Sequence, residues 1–154
     1  MSATPESRLA DLGLALPAAV VPLAAYVPTV RTGSYVYTSG QIPLRDGQVL
    51  ATGKVGAEIT PELAFECAEQ CAINALAAIK AEVGELSAVV RVVKVLGFVA
   101  SAPDFTAQPQ VVNGASELLI KAFGDAGRHA RSAVGVAALP RDVPVEVEMI
   151  VEVA

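Results

Sequence analysis

From Val145 to Val153 the chain alternates: Val145, Val147, Met149, Val151 and Val153 fall on one side of an extended strand, and Glu146, Glu148 and Glu152 on the other. Such a strand needs a core on one face and tolerates charge on the other, so an all-helical fold is excluded. Immediately upstream, Ser132 to Ala137 reads as a short apolar strand with Arg131 at its mouth. The connection Leu139-Pro140-Arg141-Asp142-Val143-Pro144 is short. It is expected to fold the two strands together, with Arg131 and Glu146 facing a common pocket.

The rest of the chain supplies both element types. Thr60-Pro61-Glu62 is a helix start, with a capping hydroxyl, a proline at the first turn and a carboxylate at the positive end of the dipole. That helix should run to about Glu82 and stop at Gly84. A second helix is expected from Gln108 to Phe123, closed by Gly124 to Gly127, and a short one from Glu6 to Leu14. Val89 to Ala100 reads as a central strand covered on both sides. Pro22 should introduce an extended segment running through Tyr26 to Val30, turning at Arg31 to Ser34 into a strand at Tyr35 to Ser39. Asp46-Gly47 marks a tight turn. The order predicts one α+β domain over residues 1–154, with both main helices packed on one face of the sheet and residues 1–24 as an N-terminal extension. The opposite face is too apolar around Val89 to Val99 for water, which predicts further copies of the chain against it.

Composition narrows the function. The 154 residues are 53% hydrophobic and 18% charged, more apolar than one small interior requires, and part of that surface is expected in a subunit interface. A net charge of -5 leaves few cations for a phosphate backbone, so nucleic acid is not an expected partner. Cys67 and Cys71 share one helix face as reduced core residues. With His129 as the single histidine, a four-ligand zinc site is not expected. Leu12 to Ala25 has the apolarity of a signal peptide, but Glu6 and Asp11 precede it and Pro17 and Pro22 interrupt it. No stretch reaches the roughly 18 uninterrupted apolar residues of a membrane span. A cytoplasmic location and no membrane partner are expected.

Taken singly, the candidate site residues have ordinary readings. Glutamates at period two can be a solvated strand face, Arg131 beside Arg128 and His129 can complement a helix end, and Tyr26 can plug a sheet edge. Gly53-Lys54-Val55-Gly56 lacks phosphate-loop spacing, and Ser39 has no nearby histidine that would make it a nucleophile.

In combination, Arg131-Ser132, Leu139-Pro140 and Glu146-Val147-Glu148, with Thr38-Ser39-Gly40-Gln41-Ile42-Pro43 near the other end, resemble the Rid/YjgF family of enamine and imine deaminases, many of which carry the older label endoribonuclease L-PSP. The likeness runs from about Ala25 to the C-terminus. It implies a chorismate-mutase-like α+β homotrimer with pockets at subunit interfaces. It further implies hydrolysis of 2-imino or enamine acids to 2-oxo acids and ammonia, with no cofactor or metal. Arg131 matches the arginine that clamps the substrate carboxylate, and Glu146 the glutamate that positions a water. Tyr26 matches the first-strand tyrosine, and Asn113 the second-helix asparagine. Ala133 stands where a cysteine is frequent, which removes thiol chemistry and leaves the backbone for substrate contact. Extra residues around Ala107 to Gln110 and the longer N-terminus depart from compact members. Two other functions stay open: a non-catalytic module that holds a small carboxylate, and a ribonuclease, against which the acidic surface argues.

Overall fold

The computed structural model describes residues 2–154. Three α-helices are present: α1 (Pro5–Asp11), α2 (Pro61–Val83) and α3 (Gln108–Phe123). The strands are β1 (Thr29–Thr32), β2 (Tyr35–Thr38), β3 (Leu44–Arg45), β4 (Gln48–Val49), β5 (Val89–Ala100), β6 (Ala130–Val136) and β7 (Val145–Val153). Five of them form a mixed sheet in the order β1-β2-β7-β5-β6, and β3 and β4 make a separate hairpin. Only β5 and β6 run parallel, because α3 carries the chain back between them.

Local chemistry explains the helices. The Thr60 hydroxyl accepts from the Leu63 amide at 3.2 Å and Pro61 opens the first turn of α2, while Gly84, at φ 93°, ends it. The buried side of α2 is built from small residues, including Ala64, Cys67, Ala68, Cys71, Ala72 and Ala75. Its backbone therefore lies close to its neighbours: a Cβ on Gly114 of α3 would collide with the Phe65 carbonyl of α2. Cys67 and Cys71 are free and buried. Burial, with Glu66 nearby, pushes the Cys67 thiol up to about 11, and burial also holds the Cys71 thiol well above its usual value. In the β3-β4 hairpin, Asp46 and Gly47 both take positive φ, as a two-residue turn of this hand requires. Arg45 then ties the hairpin to α2 through Gln70 at 3.0 Å, and Gln70 to Asn74 at 3.0 Å.

The N-terminal segment is packed rather than loose at its helix. Leu9 is buried, and Arg8 Nη1 reaches the Ala122 carbonyl at 3.3 Å. Glu6 accepts from the Leu86 amide at 2.8 Å and lies 3.5 Å from Lys80 Nζ. Burial raises the Glu6 carboxyl, but these partners outweigh it and hold the group below its usual range.

Two expectations fail. The extended segment placed from Pro22 to Val30 becomes a strand only at Thr29. Pro22 and Pro28 have no amide to donate, and the Tyr26 amide turns back to the Ala24 carbonyl at 2.9 Å instead of entering a ladder. The final two strands also do not pair with each other. β5 lies between β6 and β7, so their connection crosses the end of β5 and turns through Arg141 and Asp142, both at positive φ.

One sheet face carries the core: Val92, Val95, Val99, Val145, Val147, Met149 and Val151 are buried against α2 and α3. Within one chain the other face is open. Tyr35, Tyr37 and Val134 are exposed there, and Leu96, Phe98, Glu146, Glu148 and Ile150 are half-buried. The expectation that β5 is covered on both sides is thus met only on its helix side by this chain's own residues. Among the described residues, no helix is long and apolar enough to cross a membrane.

Candidate functional site

Arg131 is held by α3. In the parallel register it stands opposite Val95, and Val95 opposite Met149, so all three share the helix-covered side of the sheet. Because β6 is an edge strand, the guanidinium at its mouth reaches the N-terminal half of α3. Nη1 donates to Asn113 Oδ1 at 2.8 Å and to Ser116 Oγ at 3.2 Å, and Nη2 donates to the Pro109 carbonyl at 3.3 Å. Three of the five guanidinium N–H groups are engaged in this way, which leaves Nε–H and one Nη2–H. Among the described residues these two have no partner, and they are donors of the kind that bind a carboxylate. Asn113 is therefore brought to Arg131, as a group that orients it. Ala133, two residues on, lies on the same side against Gly97.

Glu146 belongs to a different place. It stands opposite Phe98, three positions along β7 from Met149 with no bulge between, and so points to the open face. The common pocket for Arg131 and Glu146 expected within one chain does not form: the two lie on opposite faces of the sheet, with β5 between their strands. Gly40 borders the glutamate closely, since a Cβ there would sit 2.5 Å from Glu146 Oε2. Burial, and then the like charge of Glu148, raise the Glu146 carboxyl above its usual range. A carboxylate so placed is a better proton acceptor than a solvated one. Beside Glu148 lies a hollow of about 330 Å³ lined by Tyr37, Thr38, Lys94, Leu96 and Ile150.

Tyr26 is exposed, and its segment is laced to the Glu146 side. The Val27 carbonyl accepts from Ser39 Oγ at 2.6 Å and the Pro28 carbonyl from the Ser39 amide at 2.8 Å, next to Gly40. The structure thus sorts the candidates into two groups, Arg131 with Asn113 and Ala133, and Glu146 with the segment of Tyr26.

Sequence reasoning missed Ser116, His129 and Gly40 as parts of these groups. His129 Nδ1 lies 2.6 Å from the Gly127 carbonyl and Nε2 2.8 Å from Ser116 Oγ, so imidazole, serine and guanidinium form one chain. Ser116 was detectable: it lies three residues after Asn113, on the same helix face.

Comparison with known proteins gives the lineage. Residues 6–153 match the family model described as "YjgF/chorismate mutase-like, putative endoribonuclease". The chain is 44% identical over 147 residues to protein TCP17 of Trypanosoma cruzi, covering 95% of this chain and 92% of that one. It is 35% identical to the 2-iminobutanoate/2-iminopropanoate deaminase of Escherichia coli K12, covering 87% and 89%. The crystal structure of Atu1372, a protein with unknown function from Agrobacterium tumefaciens, superposes with a TM-score of 0.92 at 46% identity, covering 97% of this chain and 92% of that one. The chain belongs to the Rid/YjgF family, with its chorismate-mutase-like fold.

Proposed function

We propose that the protein hydrolyses 2-imino and enamine acids to 2-oxo acids and ammonia, without a cofactor, in pockets formed between the subunits of a cytoplasmic homotrimer. The observation that carries this reading is the Arg131 guanidinium, held by three bonds to α3 with two N–H groups left over. Relatives named as 2-iminobutanoate/2-iminopropanoate deaminases support it.

The two faces of the sheet explain why an assembly is part of the proposal. Arg131 lies at the edge strand, where the ladder is unpaired and another chain can approach. Glu146 and the Tyr26 segment lie on and beside the open face. A neighbouring copy seated on that face brings its own Arg131 edge toward Glu146, which one chain alone does not do. Covering the face also removes Tyr35, Tyr37 and Val134 from water.

In the reaction, Arg131 grips the substrate carboxylate with charge-assisted hydrogen bonds worth about 1.5 to 3 kcal/mol each. Glu146 takes a proton from a water as its oxygen bonds to the imine carbon. That proton passes to nitrogen to give the carbinolamine, the glutamate then carries the hydroxyl proton to the amine, and as the carbonyl forms the carbon–nitrogen bond breaks and ammonia leaves. Imines already hydrolyse in water, so placement of the water and one proton shuttle suffice. Asn113 orients the arginine, Tyr26 closes the pocket, and the backbone at Ala133 faces the substrate.

The test generates 2-aminoacrylate or 2-iminobutanoate in situ and follows oxo-acid release with and without the protein. Accelerated release supports the reading. Saturable binding of 2-oxo acids without acceleration would favour the carboxylate-binding module, and RNA cleavage that persists in rigorously purified Arg131→Ala would favour the ribonuclease.

A further inference from the structure

The chain of polar groups behind Arg131 has a direction. A carbonyl oxygen only accepts, so the contact between His129 Nδ1 and the Gly127 carbonyl at 2.6 Å puts a proton on Nδ1. In the neutral ring Nε2 is then an acceptor, and the Ser116 hydroxyl, 2.8 Å away, donates to it. With its proton so committed, Ser116 presents lone pairs to Arg131 Nη1. A second proton on His129 reverses this order. Nε2–H would donate to Ser116 Oγ, which would then accept from two cations at once, with its own proton displaced and two positive charges held together across one oxygen.

We propose that Ser116 and His129 are positioning residues for the Arg131 guanidinium, and that protonation of His129 loosens its grip on the substrate carboxylate. The proposal rests on the deaminase reading for its kinetics but not for its geometry. The groups facing the imidazole favour the neutral form at physiological pH. Arg131 follows it on β6, Ser116 and Ile120 come from α3, and Arg128 precedes it, paired at 3.5 Å with Asp125 of the turn after α3. Arg91 of β5, Glu152 of β7 and Tyr35 of β2 line the hollow on its other side. Burial and the Arg131 charge hold His129 below its ordinary value, against the raising effect of the Gly127 carbonyl. Loss of function is therefore expected only as pH falls through that lowered value.

Because His129 is the only histidine, its ring nitrogens give an unambiguous nitrogen-15 NMR signal. The expected result is an Nδ1–H tautomer with a titration midpoint below about 6.5, which moves upward in Arg131→Ala. An Nε2–H tautomer, or a midpoint indifferent to Arg131→Ala, would overturn the proposal.

The second arm measures 2-oxobutanoate affinity and the KM for imine hydrolysis between pH 5 and 8. Ser116→Ala and His129→Leu should each weaken binding about tenfold at pH 7.5 with kcat nearly unchanged, as loss of one bond to a charged group implies. His129→Gln, whose amide oxygen can accept from Ser116, should restore affinity and abolish the acid-side weakening. Wild-type affinity in Ser116→Ala, or an unaltered pH profile in His129→Gln, would contradict the proposal. A wild-type protein that neither binds oxo acids nor turns over imines would sink the deaminase reading, and the NMR midpoint would then decide the pairing by itself.

Discussion

The Arg131 centre and the Glu146 centre are built by opposite means. Arg131 is anchored, with hydrogen bonds to Asn113, Ser116 and Pro109 that fix a cation on one helix. Glu146 is partly desolvated and repelled by Glu148, in room that only a glycine at position 40 leaves free, and it stands half-buried on a face its own chain leaves open. A group that must recognise a charge is best held rigid. One that must accept and return a proton is best held poorly solvated, with its affinity for protons raised.

Four substitutions probe that contrast. Arg131→Ala removes the counter-charge to the substrate and should lower kcat/KM by a hundredfold or more, on the order of 3 to 5 kcal/mol for a desolvated charge pair. Arg131→Lys should recover only a fraction, because an ammonium cannot offer two parallel N–H groups. Imine hydrolysis at the wild-type rate in Arg131→Ala would remove the first half of the comparison.

Glu146→Gln should act on the other parameter. Affinity for 2-oxo acids stays near wild type, while kcat falls by roughly a hundredfold, since an amide keeps the shape and cannot accept the water's proton. A change confined to KM would mean that Glu146 binds substrate instead.

Gly40→Ala sharpens the boundary between the centres. The added methyl meets the end of a flexible side chain, so the fold should survive while the Glu146 carboxylate is displaced. We expect about a tenfold loss of kcat and no change in the His129 tautomer. Disturbance of the His129 signal would show that the two centres are coupled.

The smallest effect concerns stability. A carboxyl whose folded pKa is raised favours the fold below its unfolded pKa, and that contribution is lost as pH rises through the folded value. Glu146→Gln should therefore raise the melting temperature at pH 7, and the gain should vanish near pH 4. Equal gains at both pH values would argue against a raised Glu146.

Local signals were legible and long-range ones were not. The capping threonine, Pro61 and Gly84 bound α2 within a residue, and α3 runs from Gln108 to Phe123 as its pattern predicts. Strand partnership is different. The short Leu139–Pro144 link reads as a hairpin, and only the crossover of α3 shows that β6 must return beside β5 and so be kept from β7. The same oversight placed Arg131 and Glu146 in one pocket. The Rid/YjgF resemblance supplied the candidate residues, of which the structure brings Asn113 to Arg131 and leaves Glu146 on the other face; Ser116 is marked by its spacing from Asn113, whereas His129 joins the group only when α3 is laid against the mouth of β6.

The central claim is that the two centres, separated within each chain, make one active site between chains. Subunit complementation measures it directly. Arg131→Ala and Glu146→Gln proteins, each inactive alone, are unfolded together, refolded as mixed oligomers and assayed for oxo-acid release. If each pocket takes Arg131 from one subunit and Glu146 from its neighbour, activity should return to about a quarter of the wild-type level, the fraction of interfaces that pair two intact partners. Mixed oligomers that assemble and remain inactive would contradict the account.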